Sequence, residues 1–249
     1  MRPYLTVVMP AYNEAENLPR NVPRLVEKLE SFQEYFEIVI VDDASTDATA
    51  AIAVSLALQD PRVRLCRHGV NKGIGQGFVT AVQTAKGQFL ILIPADLALD
   101  LDELHKYLDL APQSDIVVGR SSSRSDYSAF RALVSAVNIW LIRTLFGMEQ
   151  QQFNYISLYR TQLLKEMDIE YTGSAFFFAE ILVKARDQGA CLREVDIGYA
   201  PREAGTQSGG NVLLIVRTVY DLFHFWLTRR LRRRRRGQPG ALDKSVDAE

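Results

Sequence analysis

Val8-Met9-Pro10-Ala11-Tyr12-Asn13-Glu14 and, about thirty residues on, Val41-Asp42-Asp43-Ala44-Ser45-Thr46-Asp47 decide how this sequence is read. Each closes a short apolar run, Leu5–Met9 and Glu37–Val41, that breaks into small, polar and acidic residues. A β-branched run ending this way is a buried strand passing into the loop before a helix. Carboxylates then gather at the carboxyl edge of a sheet, where they can accept from the hydroxyls of a sugar or the edge of a base. Capping of the next helix by Asp43 or Ser45 accounts equally well for the second segment taken alone.

Working outward, the runs Val63–Cys66, Phe89–Ile93 and Ile116–Val118 read as further strands. Helical patterns fill Ala15–Phe32, Ala48–Ala57, Gly75–Ala85 and Leu101–Leu110. The alternation predicts a doubly wound α/β half of five strands and four helices. Beyond Gly119 a long apolar helix, from about Tyr127 to Phe146, stops at Gly147. A strand or two within Phe153–Tyr159, a helix Ala179–Gln188, a strand Arg193–Tyr199 and a glycine-rich mobile loop Glu203–Asn211 follow. The glycines of Asn71–Gly77 imitate a dinucleotide loop, but that fingerprint belongs after the first strand, where Pro10–Glu14 stands instead. Residues 1–210 are read as one domain, 211–236 as an amphipathic helix with an arginine cluster, and 237–249 as a disordered tail.

The net charge of −1 hides an asymmetry. Seven of the 29 basic residues are arginines between Arg229 and Arg236, leaving 22 against 30 acidic residues elsewhere. A short basic tail on an acidic body, with no recognition fold beside it, argues against nucleic acid and for an anionic membrane surface. Two distant cysteines, Cys66 and Cys191, make neither a disulfide framework nor a zinc site and are expected to be buried. Strand begins within the first ten residues with no leader ahead of it, so a cytoplasmic location, peripheral on the cytosolic face of a membrane, is expected.

Taken together, the P-A-Y-N-E turn and the V-D-D-A-S-T-D segment resemble the opening of family 2 glycosyltransferases, especially the polyprenyl-phosphate mannose and glucose synthases. The resemblance runs from Leu5 to about Ser208. It implies a single-domain α/β GT-A fold and inverting transfer of a hexose from a GDP- or UDP-sugar to a polyprenyl phosphate. Position by position, it implies that Pro10, Tyr12, Glu14, Val41 and Asp43 line the nucleoside, with Asp43 toward base or ribose. Ile93-Pro94-Ala95-Asp96-Leu97-Ala98 stands where those synthases carry Asp-Ala-Asp-Leu-Gln. Asp96 is therefore implied to hold Mg2+ or Mn2+, with Pro94 replacing the first aspartate; such an ion can take its other ligands from phosphates and water. Asp100 and Asp102, just beyond, read as acids at a helix start. Arg202 with Gly205 resembles a loop over the donor diphosphate, with Ser208 in place of its lysine.

On the long helix, Arg131, Ser135 and Asn138 are spaced four and three apart and share one face. Such a stripe could hold a lipid phosphate or simply face solvent. The resemblance matches Arg131 and Ser135 to acceptor-phosphate positions, and Arg120, one place out of register, to a second arginine there. A phosphate acceptor, already largely ionised near neutrality, needs orientation rather than a general base. His68, His105 and His224 show no pairing with a strand-end carboxylate in the sequence. The last helix, Val212–Leu227, is apolar but for a stripe of Arg217, Asp221 and His224. Its length of about 24 Å falls short of the ~30 Å hydrocarbon core. It is expected to lie in the membrane plane with Phe223, Phe225 and Trp226 buried there. A core-packed helix, or one that docks a small membrane partner, are the alternatives.

Overall fold

The protein is described by a computed structural model in which residues 2–32, 34–121, 129–153, 156–198 and 212–236 are defined. The loop Glu203–Asn211, with Arg202 before it, and the tail 237–249 lie outside these residues, as does the start of the long helix at Tyr127.

Strands β1 (Leu5–Ala11), β2 (Phe36–Asp42), β3 (Val63–Arg67) and β4 (Phe89–Leu92) alternate with helices α1 (Leu18–Glu30), α2 (Thr49–Gln59) and α3 (Ile74–Thr84). After a 3-10 turn come α4 (His105–Leu110), β5 (Ile116–Ser121), α5 (Ala129–Phe146), β6 (Ser157–Arg160), α6 (Thr161–Lys165), α7 (Phe176–Asp187), β7 (Leu192–Ile197) and α8 (Val212–Arg236). One seven-stranded sheet has the order β3-β2-β1-β4-β6-β5-β7. Strands β1 to β4 pair in parallel, and β1 lies between β2 and β4. The strand order reverses there, so the crevice outside the ends of β1 and β4 is where an open α/β sheet takes its ligand.

Side chains alternate across the sheet and are buried on both faces, which is why these strands read as continuous apolar runs. Val8, Val39, Val41 and Leu90 enter a core with α3, α7 and the inner sides of α5 and α8. Val7, Met9, Ile38, Ile40 and Ile91 enter a second core with α1 and α4.

The expected five-strand half is corrected at its fifth member. β5 does not adjoin β4, because β6 runs antiparallel between them. Gly119 allows this closure: a Cβ there would lie 1.9 Å from the Tyr107 hydroxyl and 2.3 Å from the Ile156 carbonyl. The expected burial of the cysteines is also corrected. Cys66 is half-buried on β3 at the sheet edge, and Cys191 is exposed in the turn before β7.

Two corrections concern α8. The helix runs on through the arginines to Arg236, about 37 Å at 1.5 Å per residue. No helix among the described residues is both long and apolar enough to cross a membrane. Phe225, expected in lipid, is instead 6% exposed in the protein core, packed on Phe146, Tyr171 and Phe176. Arg229 ion-pairs with Asp187 and lies over the Phe146 ring, docking the first arginine of the run onto the domain. Phe225→Ala is therefore expected to destabilise the whole domain by about 3–5 kcal/mol, seen as a lower denaturation midpoint. An unchanged midpoint would mean α8 is an appendage.

Candidate active site at the strand ends

The turns after β1 and β2 form one platform because their side chains bond across to each other. Ser45 Oγ accepts from the Asn13 amide at 3.0 Å, and Thr49 Oγ1 from the Glu14 amide at 2.8 Å. Asp47 Oδ2 likewise accepts from the Ala15 amide at 3.3 Å, and in return Asn13 Oδ1 accepts from the Thr46 amide at 2.9 Å. The paired motifs are thus a single piece of structure. Asn13, Ala44 and Leu97, in the turns after β1, β2 and β4, all have positive φ, of 57°, 61° and 48°. A left-handed conformation costs a non-glycine residue about 1–2 kcal/mol. Such strain persists where the surroundings fix the backbone, commonly at functional sites.

Asp43 is the centre of the platform. Its Oδ1 is 2.7 Å from His68 Nδ1 and accepts from the Lys72 amide at 2.8 Å, while Oδ2 accepts from the Gly73 amide at 2.7 Å. His68 Nε2 is 3.0 Å from Thr80 Oγ1. The expectation that no histidine meets a strand-end carboxylate is therefore corrected. The pair joins β2 to the segment after β3, and spacing along the chain gives no sign of it. Burial opposes ionisation of Asp43, but the bonds from His68 and from the Lys72 and Gly73 amides outweigh it and hold the carboxyl below its ordinary range. Three of about four lone-pair sites are used, leaving one on Oδ2 for a ligand.

Tyr12 is exposed, and Pro10 and Glu14 are half-buried beside it, with Glu14 Oε2 accepting from Asn17 at 2.6 Å. Val41 is buried beneath α3, its Cγ1 3.6 Å from where a Cβ on Gly77 would stand, so it supports the platform from below. Asp96 is half-buried in the turn after β4, and its Oδ1 accepts from the Ala98 amide at 3.2 Å. No three His, Cys, Asp or Glu side chains converge among the described residues, so a metal here would have Asp96 as its protein carboxylate. That donor set fits Mg2+, which binds through one or two carboxylates plus phosphates and water. Asp100 accepts from the Asp102 amide, and Asp102 pairs with Lys28 at 2.7 Å, as acids at a helix start do.

Arg120 is taken up elsewhere. Its guanidinium grips Asp196 bidentately, Nε to Oδ1 and Nη2 to Oδ2, between the paired strands β5 and β7. The fork that a phosphate would occupy is filled by this carboxylate. On α5, Arg131, Ser135 and Asn138 lie on the half-buried side, and Asn138 Oδ1 is buried with no hydrogen bond among the described residues. The opposite side carries Phe130, Leu133, Val137 and Trp140, each 46–62% exposed. The polar stripe is thus the more buried side of the helix and the apolar stripe the more exposed one.

Residues 6–183 match glycosyl transferase family 2. The chain belongs to that family. Undecaprenyl-phosphate 4-deoxy-4-formamido-L-arabinose transferase of Pectobacterium carotovorum is 29% identical over 231 residues, covering 92% of this chain and 69% of that protein. Its counterpart in Edwardsiella ictaluri is 28% identical, covering 88% and 66%. Glucosyl-3-phosphoglycerate synthase of Mycobacterium tuberculosis, solved with Mn2+, UDP-glucose and phosphoglyceric acid, superposes with a TM-score of 0.65 at 16% identity over 96% of this chain and 81% of that one. A mannosyltransferase of Pyrobaculum calidifontis, solved with GDP-mannose and Mn2+, gives 0.56 at 22% identity over 82% and 59%. These likenesses show the GT-A fold, and the chain is a glycosyltransferase.

The Asp43 cluster gives this transferase a pH signature. Asp43→Asn puts an amide group against the Lys72 and Gly73 donors and should cost about 2 kcal/mol. A carboxyl held below its unfolded pKa, near 3.9, stabilises fully above that value and stops doing so as pH falls through the folded one. The gap between wild type and Asp43→Asn in denaturant titrations should shrink as pH falls below about pH 4. A gap independent of pH would show that the charge is not what matters.

Proposed function

We propose that this glycosyltransferase moves a hexose from a UDP- or GDP-sugar to a polyprenyl phosphate at a membrane surface. The orientation of α5 carries the reading: Arg131 and Ser135 face the protein while Phe130, Leu133, Val137 and Trp140 face out. An outward apolar stripe suits the hydrocarbon of a lipid, and the arginine behind it suits the phosphate of the same molecule. The relatives' action on undecaprenyl phosphate supports the acceptor, and the neighbours solved with UDP-glucose and GDP-mannose support the donor.

In this reading the nucleoside lies on Tyr12, Glu14 and the free lone pair of Asp43. Asp96 would hold Mg2+ or Mn2+, which would supply positive charge to the diphosphate leaving group. Arg202, outside the described residues, is proposed to close over that diphosphate. Arg131 orients the acceptor phosphate with a planar fork and balances its charge against the donor. The phosphate oxygen attacks the anomeric carbon without prior deprotonation. His68 has no part in the transfer in this reading; buried between Asp43 and Thr80, it positions the Asp43 carboxylate.

Radiolabelled nucleotide sugar, polyprenyl phosphate in detergent and Mg2+ or Mn2+ should give label in an organic-extractable product. Asp96→Ala should remove metal-dependent donor binding. Arg131→Lys should bind donor normally yet turn over on the order of tenfold to 10²-fold more slowly. Label passing only to soluble saccharides, or wild-type turnover by Arg131→Lys, would overturn the acceptor assignment.

The outward stripe makes a separate prediction about attachment. Removing α8 would strip the core of Phe225, so surface substitutions are the cleaner probe. Leu133→Ser with Trp140→Ser should leave the denaturation midpoint intact but weaken vesicle binding by roughly 3 kcal/mol, about two orders of magnitude. What binding is left should fall further with salt. Undiminished flotation of the double variant would place the attachment elsewhere.

A further inference from the structure

Of the stripe of Arg217, Asp221 and His224 on α8, Arg217 and His224 are exposed and Asp221 is half-buried, yet the stripe does not stand alone. It lines a groove of about 750 Å³ whose other wall is Lys72 and Gln76 at the entry to α3 and the turn Glu170–Gly173. Of its lining only Lys72 belongs to the platform described above, and there through its backbone amide to Asp43 rather than its side chain. The turn is firmly held: the buried Glu180 carboxylate accepts from the Glu170 and Tyr171 amides at 2.8 and 2.9 Å. Lys184 bonds both Glu180 and Glu170, at 2.7 and 2.8 Å, so one ammonium is shared between two carboxylates. The cations facing the groove are not paired in this way. Among the described residues neither the Arg217 guanidinium nor the Lys72 ammonium makes an ion pair, although Asp221 lies one turn from Arg217. Arg217 is also seated in a defined place. A Cβ on Gly173 would fall 2.1 Å from its Nη2 and 2.4 Å from its Cζ, so the guanidinium lies directly against the glycine backbone. His224 is fixed by Tyr171, whose hydroxyl is 2.8 Å from Nδ1, and is stacked on Tyr220.

The rim is apolar. Val212, Leu213, Val216, Val219, Tyr220 and Phe223, all on α8, are exposed beside this polar wall. A hydrocarbon-compatible side of α8 therefore lies next to a polar recess that holds two cations, Arg217 and Lys72, and two acids, Asp221 and the Lys184-bonded Glu170.

We propose that this groove is a second phosphate site, which takes the headgroup of an anionic membrane phospholipid on Arg217 and Lys72 while its chains lie along the exposed side of α8. The inference rests on the membrane-surface reading above and adds to it a specific pocket. A guanidinium backed by a glycine presents its fork to a phosphate with little freedom to lose. Asp221 opposes a bare anion and favours a headgroup whose phosphate stays on the Arg217 and Lys72 side.

The test uses the full chain with vesicles of neutral phosphatidylcholine, with and without phosphatidylglycerol, and with inorganic phosphate in a thermal-shift titration. Wild type should prefer the phosphatidylglycerol vesicles. Arg217→Gln should lose about fivefold of that preference, as expected for one basic residue at an anionic surface. Arg217→Lys and Gly173→Ala separate a built site from general attraction. The first keeps the charge and loses the fork, and the second keeps Arg217 but evicts its guanidinium from the glycine. Both should bind phosphatidylglycerol vesicles nearly as weakly as Arg217→Gln, with unchanged melting in plain buffer. If both bind like wild type, the pocket is not a headgroup site. If wild type itself binds no vesicle, the membrane-surface reading fails first. If inorganic phosphate stabilises the protein through Arg217 while vesicle binding ignores that residue, the groove takes a soluble phosphate and the lipid assignment is overturned.

Discussion

One carboxylate holds the platform together. Asp43 ends β2, meets His68 from the segment after β3, and accepts the Lys72 and Gly73 amides at the entry to α3. Three pieces of chain are thereby fixed to one point at the strand edge. The turn after β1 is tied to the same place through Asn13, Ser45 and Thr46. With both loops immobilised, left-handed backbone at Asn13 and Ala44 is tolerable, and the surface offered to a nucleotide is set before the ligand arrives. This is preorganisation built from polar side chains and backbone amides.

The second half of the molecule is arranged around helices that face two environments. α8 puts Leu222 and Phe225 into the core, Arg217 and His224 into a groove, and Val216, Val219 and Phe223 outward. α5 likewise buries Ile142 and Phe146 near its end while leaving Leu133 and Trp140 exposed. Exposed apolar residues in rows, rather than scattered singly, mark a surface made to be covered.

The strand ends were legible because parallel strands buried on both faces are plain apolar runs, and because the acidic turns follow them directly. The position of β6 was not. Four residues, Ser157–Arg160, carry too little pattern to say that they run antiparallel between β4 and β5. The His68–Asp43 pair was missed because it depends on how β2 and β3 lie side by side. For α8 the stripes were read correctly as stripes but given the wrong neighbours. Periodicity shows that Phe225 and Trp226 differ from Arg217 in direction, whereas only packing shows that Phe225 points at Phe146 and Phe176. Asp196 likewise becomes a partner for Arg120 only once β5 and β7 are in register.

The place of β6 also sets the order in which the chain can assemble. β4 is four fully buried apolar residues, Phe89-Leu90-Ile91-Leu92, and one edge of it is covered only by β6. Roughly 65 residues must be synthesised between the two, which at 5–20 residues per second is about 3–13 s. Through that interval the nascent parallel half presents a bare hydrophobic edge, the kind of template on which chains pair with one another. Slower translation between residues 93 and 160 lengthens the exposure, so the yield of folded protein should depend on the speed at which that stretch is made.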